Sequence, residues 1–155
     1  MAQLVVRIDD LRDGMVEQLL HEHRREMHLY SPPESIHALE SGQLKDSLVT
    51  FWGVWMGQEL AGCGALKALS PDHGEVKSMR TARAHLRKGV GAEILRHILQ
   101  EALVRSYTRV SLETGTNDTF LLARALYERF GFRECGPFGD YDHDPYSTFY
   151  AMELA

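Results

Sequence analysis

Apolar residues recur along this chain with two different periods, and the switches between them divide it into elements. Residues 4–8, Leu4-Val5-Val6-Arg7-Ile8, form a β-branched run that ends in Asp9-Asp10, a pair suited to capping a helix. From 11 to about 29 the period becomes helical through Leu11, Met15, Leu19, Leu20 and Met27, until Ser31-Pro32-Pro33 stops it. Ile36, Ala38 and Leu39 lie close enough on one face to predict a short second helix over 34–44. Residues 49–56, with Phe51, Trp52, Val54 and Trp55, and residues 60–69 read as two strands joined by a tight turn at Gly57-Gln58. Trp52 and Trp55 have odd separation and point to opposite faces of their strand. Pro71-Asp72-His73-Gly74 turns the chain into a further antiparallel strand over 75–81, which makes the middle a β-meander.

The strongest helical signature begins at Val90. There Val90, Ile94, Leu95, Ile98, Leu99, Ala102 and Leu103 follow one another at intervals of four, one, three, one, three and one. A strand over 109–112, a helix over 118–130 closed by Gly131, a strand over 132–135 and, after a turn-rich loop, a last strand over 149–154 complete the chain. The order β-α-α-β-β-β-α-β-α-β-β predicts an α/β fold: one domain spanning 1–155, built on a central mixed sheet of about seven strands with helices on its faces.

Composition narrows the function. The chain has 155 residues, 44% hydrophobic and 25% charged, enough to bury a core without disulfides or metals. A net charge of −5 disfavours general nucleic-acid binding. No long apolar run or basic leader is present, so neither a membrane span nor a signal peptide is expected. Cys63 and Cys135 form no C-x-x-C, and a reducing cytoplasm is the natural setting. Neither has a histidine beside it in sequence to activate a thiolate, so both read as small core residues. His21, His23 and His28 lack the i,i+4 spacing of a helical metal pair, and no metal is expected.

One stretch stands apart. Residues 77–88 hold Lys77, Arg80, Arg83, Arg87 and Lys88 and no carboxylate, inside an acidic protein. Gly89-Val90-Gly91-Ala92 follows at once and opens the strongest helix. Glycines let a backbone approach a ligand closely, and the unpaired N–H groups of a helix start carry the positive end of its dipole, so the conjunction points to a phosphate site. A P-loop is excluded because G-x-x-x-x-G-K-[ST] is absent. A dinucleotide site lacks its third glycine, since Ile94 occupies that place, although Glu113 stands where a ribose-binding acid would. Which phosphate compound binds stays open at this point.

Leu86-Arg87-Lys88-Gly89-Val90-Gly91 resembles the [QR]-x-x-G-x-[GA] loop of the GNAT superfamily of acyl-CoA-dependent N-acetyltransferases, with Leu86 departing from the pattern. Leu126-Tyr127-Glu128-Arg129-Phe130-Gly131-Phe132 resembles that family's L-Y-x-x-x-G-F, and Glu75-Val76-Lys77-Ser78-Met79-Arg80-Thr81 its bulged fourth strand. The asparagine often found seven residues before the tyrosine is replaced here by Phe120. The resemblance spans essentially the whole chain, which is similar to a subgroup of small bacterial members whose acceptor it does not specify. It implies that Gly89, Val90, Gly91 and Ala92 hold the CoA diphosphate through main-chain amides, with Arg87 or Lys88 supplying a side-chain charge that Leu86 cannot. It further implies that Met79, Arg80 and Thr81 line the pantetheine arm, the Met79 N–H facing the developing oxyanion.

Chemistry completes the expectation. An amine with an ordinary pKa of about 10.4 must lose a proton before it attacks. Glu75 is the base the resemblance implies, and Tyr127 the acid that protonates the departing thiolate. His28, Tyr30 and His37 are expected near the acceptor cleft, and the acidic and aromatic stretch 140–146 is suited to attract a cationic amine. The implied function is transfer of an acetyl group from acetyl-CoA to an amine of a small molecule or peptide, by direct attack in a ternary complex. The rival readings are a CoA- or nucleotide-binding regulatory module without turnover and an NAD-dependent oxidoreductase. The partner is then a small-molecule or peptide amine, with no nucleic acid and no membrane, and homodimerisation stays open.

Overall fold

Seven strands in the order β1-β2-β3-β4-β5-β7-β6 form one sheet in a computed structural model that describes residues 3–27, 29 and 47–154. The strands are β1 (Leu4–Asp9), β2 (Val49–Met56), β3 (Glu59–Ser70), β4 (His73–Thr81), β5 (Arg109–Gly115), β6 (Arg133–Cys135) and β7 (Ser147–Glu153). The helices are α1 (Met15–Met27), α2 (Val90–Val104) and α3 (Leu121–Arg129). The mixed sheet and element order agree with the sequence reading; the helix expected over 34–44 lies outside the described residues, as do His28, Tyr30 and His37.

The first helix begins later than its apolar period suggests. The N–H groups of Leu11 and Arg12 bond back to the carboxylates of Asp9 and Asp10 at 2.8 and 3.1 Å, so the two aspartates close local turns instead of capping a helix. Leu11 takes φ 64°, and the helix starts only after Gly14, whose carbonyl accepts the N–H of Gln18. Leu11 still joins Val16, Leu19 and Leu20 in a core against Phe51, Cys63 and Ala65. Its apolar character is used in packing, not in the helix.

The opposite face of the sheet carries the larger core, where Val90, Ile94, Leu95 and Ile98 of α2 meet Trp52, Val54, Ala61, Leu66 and Val76. Two glycines of β3 set how closely α2 approaches. A Cβ on Gly62 would lie 2.6 Å from Val90 Cγ1 and 2.8 Å from the carbonyl oxygen of Arg80, and one on Gly64 would lie 2.9 Å from Ile98 Cδ1. The absence of side chains at these points lets the first turn of α2 rest on the end of β4.

The antiparallel meander meets the second half of the sheet through a parallel pair, β4 with β5, that lasts only from His73–Arg109 to Val76–Leu112. Beyond it β4 continues to Thr81 alongside β3 alone, while β5 continues to Gly115 alongside β7. Between Lys77 and Arg80, β4 uses three steps where β3 uses two, from Ala65 to Cys63, and Ser78 takes φ 57°. That β-bulge turns the strand away from β5 and opens a fork in the sheet.

Candidate active site

The groove at the start of α2 is built by backbone conformation. Arg87 at φ 65° and Gly89 at φ 81° bracket Lys88, two left-handed residues in the turn that enters α2. Gly89 is the N-cap, and no side chain caps the helix. The amides of the first turn therefore keep the anion-binding capacity that capping would consume. They open onto a groove of about 240 Å³ lined by Thr81, Arg87, Gly89, Val90, Gly91 and Ala92. Leu122, Ala125, Leu126 and Arg129 of α3 form its other wall, and Gly91 brings α2 close to that wall, since a Cβ there would sit 3.2 Å from Leu126 Cδ2.

Three of the basic residues named from sequence turn elsewhere. Arg80 bonds Glu26 of α1 at 2.6 Å, and Arg83 bonds the other oxygen of the same carboxylate at 2.7 Å. Lys88 donates to Nδ1 of His85 at 3.3 Å and lies 4.0 Å from Met56 Sδ. Arg87 and Arg129 are the cations on the groove wall. Leu86, 57% exposed, also borders it.

Thr81 ends β4 and lines the groove, so the groove begins where the β4 limb of the fork ends. Titratable residues stand on both faces of the sheet around β4 and β5. On the α2 side Tyr127 of α3 is 7% exposed, packed edge-on to Phe132 at 6.0 Å and against Tyr150 at 6.5 Å. Burial, aided by the charge of Glu113, pushes its phenol up to about 12, so it is protonated throughout the neutral range.

Val76 belongs to the α2-side core, so Glu75 and Lys77 point to the other face. Glu75 is 3% exposed. Its Oε2 accepts the hydroxyl of Tyr141 at 2.6 Å and the ammonium of Lys77 at 3.2 Å, and Lys77 also donates to the Tyr141 oxygen at 2.7 Å. Burial first, and then the charge of Glu75, drive the Tyr141 phenol well above its usual 10.0. Phe138 and Phe149 pack edge-on at 5.9 Å, and Tyr141 sits 5.1 Å from the first and 5.6 Å from the second, which fixes the loop that carries it.

Tyr141 is the residue sequence reasoning misses, since in the chain it is only one of the aromatics in an acidic loop. Its partners lie 64 and 66 residues away, and nothing local announces them. Cys63 is fully buried beneath α1, its Sγ 3.4 Å from the carbonyl of Ser78, and burial pushes its thiol up to about 12. It is a core residue, as expected. Cys135, on β6, is only half-buried. Among the described residues no cluster of His, Cys, Asp and Glu is arranged to hold a metal, and no helix is long and apolar enough to cross a membrane.

Comparison with known proteins adds four findings. Residues 15–132 match the Acetyltransferase (GNAT) family. The chain is 54% identical over 149 residues to a Bacillus subtilis (strain 168) protein named Uncharacterized N-acetyltransferase YsnE, covering 96% of this chain and 99% of that protein. Among solved structures, a Klebsiella pneumoniae protein described as an acyl-CoA N-acyltransferase superposes over 100% of both chains with a TM-score of 0.84 at 24% identity. An Elizabethkingia anophelis GNAT family acetyltransferase with acetyl-CoA bound covers 97% of this chain and 98% of its own, with a TM-score of 0.68 at 16% identity.

Proposed function

The chain belongs to the GNAT family of acetyltransferases, and from that premise we propose that it uses a CoA-type co-substrate and transfers the acetyl group of acetyl-CoA directly to an amine of a small molecule or peptide. The observation that carries this reading is the uncapped first turn of α2, whose amides open onto a groove that runs to the end of the forked strand β4. Gly89, Val90, Gly91 and Ala92 would hold the diphosphate, with Arg87 as the side-chain charge. Met79 and Thr81 would line the pantetheine arm, and of Arg80 only the main chain is available there, since its guanidinium is bound to Glu26.

Acetyl-CoA, when bound, supplies an activated thioester; the rest of the chemistry falls to this chain. The bulge at Ser78 frees main-chain groups of β4 from β5, and the Met79 N–H is the donor proposed for the developing oxyanion. Tyr127, protonated at neutral pH, donates to the departing sulfur from the α2 face. Glu75 takes up the amine's proton from the opposite face. An acetyl-cysteine route through Cys63 is disfavoured, because Cys63 is buried and its thiol is held protonated.

Calorimetry with acetyl-CoA, CoA and NAD, followed by thiol release with a panel of amines, tests the proposal. It expects both CoA compounds to bind, NAD not to bind, and thiol to appear only with an amine present. Binding of NAD in place of CoA would overturn it, and binding of CoA compounds without turnover on any amine would favour a regulatory module.

A further inference from the structure

Glu75 poses a difficulty as a proton acceptor. It is 3% exposed, and an amine must come within hydrogen-bond distance of a base or reach it through one intervening group. Its Oε2 is already covered by the Tyr141 hydroxyl at 2.6 Å. The same phenolic oxygen lies 2.7 Å from the ammonium of Lys77, the first residue of β4 beyond the last β4–β5 pair. Lys77 thus stands just past the last β4–β5 rung, and its ammonium and the buried Glu75 carboxylate both hold this hydroxyl. Phe138 and Phe149 hold the Tyr141 ring so that the hydroxyl keeps this position.

We propose that Tyr141 is the catalytic residue through which the acceptor amine loses its proton, its oxygen taking a proton from the amine while its own hydroxyl proton passes to Oε2 of Glu75. This rests on the direct-transfer reading above and assigns the acceptor side of it. The balance is simple. One N–H bond of the ammonium breaks, one O–H bond of Tyr141 is exchanged for another, and an O–H bond forms on Glu75. The amine leaves the step neutral, Tyr141 is unchanged, and Glu75 is a neutral acid that later releases its proton to solvent. A phenol acts as donor and acceptor at one atom, which a relay requires. Lys77 contributes in two ways: it holds the oxygen in place, and its positive charge disfavours a second cation beside it, which pushes an arriving ammonium toward its neutral form.

Among the described residues, the charged groups that bear on this hydroxyl include Glu75 and Lys77 from β4 and Glu113 from β5. Their joint effect is read from a pH profile. Thiol release is measured with acetyl-CoA and spermidine, tyramine or a lysine-containing peptide, whichever the parent acetylates fastest. Tyr141→Phe keeps the ring packing and removes the relay. It should lower kcat at neutral pH by roughly a hundredfold, leave acetyl-CoA affinity unchanged, and recover as pH rises toward the amine's own pKa. Glu75→Gln should show the same profile, and the double variant should be no slower than the slower single, because both remove one path. A parent-like kcat in Tyr141→Phe, a deficit independent of pH, or losses that multiply in the double variant would overturn the relay. Should Tyr141→Phe fail to fold, fluorotyrosine at position 141 decides: it keeps the ring and alters the acidity of the relaying hydroxyl, so kcat at neutral pH should change while acetyl-CoA affinity does not, and an unchanged kcat overturns the proposal. Failure of the underlying reading looks different, since the parent would then either not bind acetyl-CoA in calorimetry or bind it and acetylate none of the amines.

Discussion

Val76 faces Leu112 on the last rung of the β4–β5 ladder, and past that rung the two strands have different neighbours. Val76 and Leu112 are both buried, at 3% and 1% exposure, so the fork opens directly above packed core. One residue before the rung stands Glu75, and one residue after it stand Lys77 and Glu113. The fork thus gathers titratable groups at the place in β4 and β5 where the strands stop satisfying each other's backbone.

The fit of α2 against this region depends on Gly62. Gly62→Ala would set a Cβ 2.8 Å from the Arg80 carbonyl, which is backbone and cannot swing aside, and 2.6 Å from Val90 at the start of α2. The expected cost is about 1–3 kcal/mol, read as a lower urea midpoint, accompanied by weaker acetyl-CoA binding as Val90 is displaced. Gly57→Ala is the control: with φ 63° and nothing within 4 Å, it should cost about 1–2 kcal/mol through conformation alone and leave binding unchanged. Equal binding losses in the two variants would show that the approach of α2 does not matter.

Leu86 offers a gain of function. It is exposed, so replacing it removes little packing, and it borders the groove where the related motif carries a hydrogen-bonding side chain. Leu86→Gln should tighten CoA binding by about tenfold, the worth of one hydrogen bond of about 1.5 kcal/mol to a charged group, with an unchanged melting temperature. Calorimetry that returns the parental Kd would place the diphosphate away from this position.

Much of this architecture is legible in the sequence, for reasons visible in particular residues. Strand β2 over 49–56 and the helix from Val90 can be read closely because each is a locally periodic segment with glycine at its boundary. The groove residues from Gly89 to Ala92 are legible because a helix start needs no distant partner to present its amides. What stays hidden is whatever depends on contacts across the chain. Asp9 and Asp10 look like caps, yet they close turns, because Leu11 is needed in the α1-side core. Arg80 and Arg83 look like ligands for an anion, yet a single carboxylate 54 and 57 residues away holds both. Tyr141 is hidden for the same reason.

Glu26 gives that last pair of arginines a pH signature. Burial alone would raise its carboxyl, but hydrogen bonds and charges from Arg83 and Arg80 outweigh burial and hold it below its ordinary 4.5. A carboxylate with a depressed folded pKa stabilises the protein above its unfolded pKa, and that contribution is lost as pH falls through the folded value. The melting temperature of Glu26→Gln should therefore lie below the parent's at neutral pH, and the gap should close as pH drops below 4.5. A gap that persists unchanged in acid would mean that the carboxylate's charge is not what ties α1 to β4.

The sharpest test concerns Tyr127, whose ring has two roles to separate. Its packing against Phe132 and Tyr150 belongs to the core that also holds Val90 and Ile94, so truncation to alanine would damage the groove as well as the chemistry. Tyr127→Phe retains the ring and removes only the hydroxyl, which makes no hydrogen bond among the described residues. Stability and acetyl-CoA affinity should then stay at parental values. Without a proton donor at the departing sulfur, kcat should fall by roughly 10²-fold or more, the scale of general acid catalysis. The loss should also depend on the leaving group: a thioester with a more acidic thiol needs less help, so the gap between parent and variant should narrow with such a substrate. Turnover equal to the parent's on acetyl-CoA itself would assign Tyr127 to packing alone and leave the sulfur to be protonated from solvent.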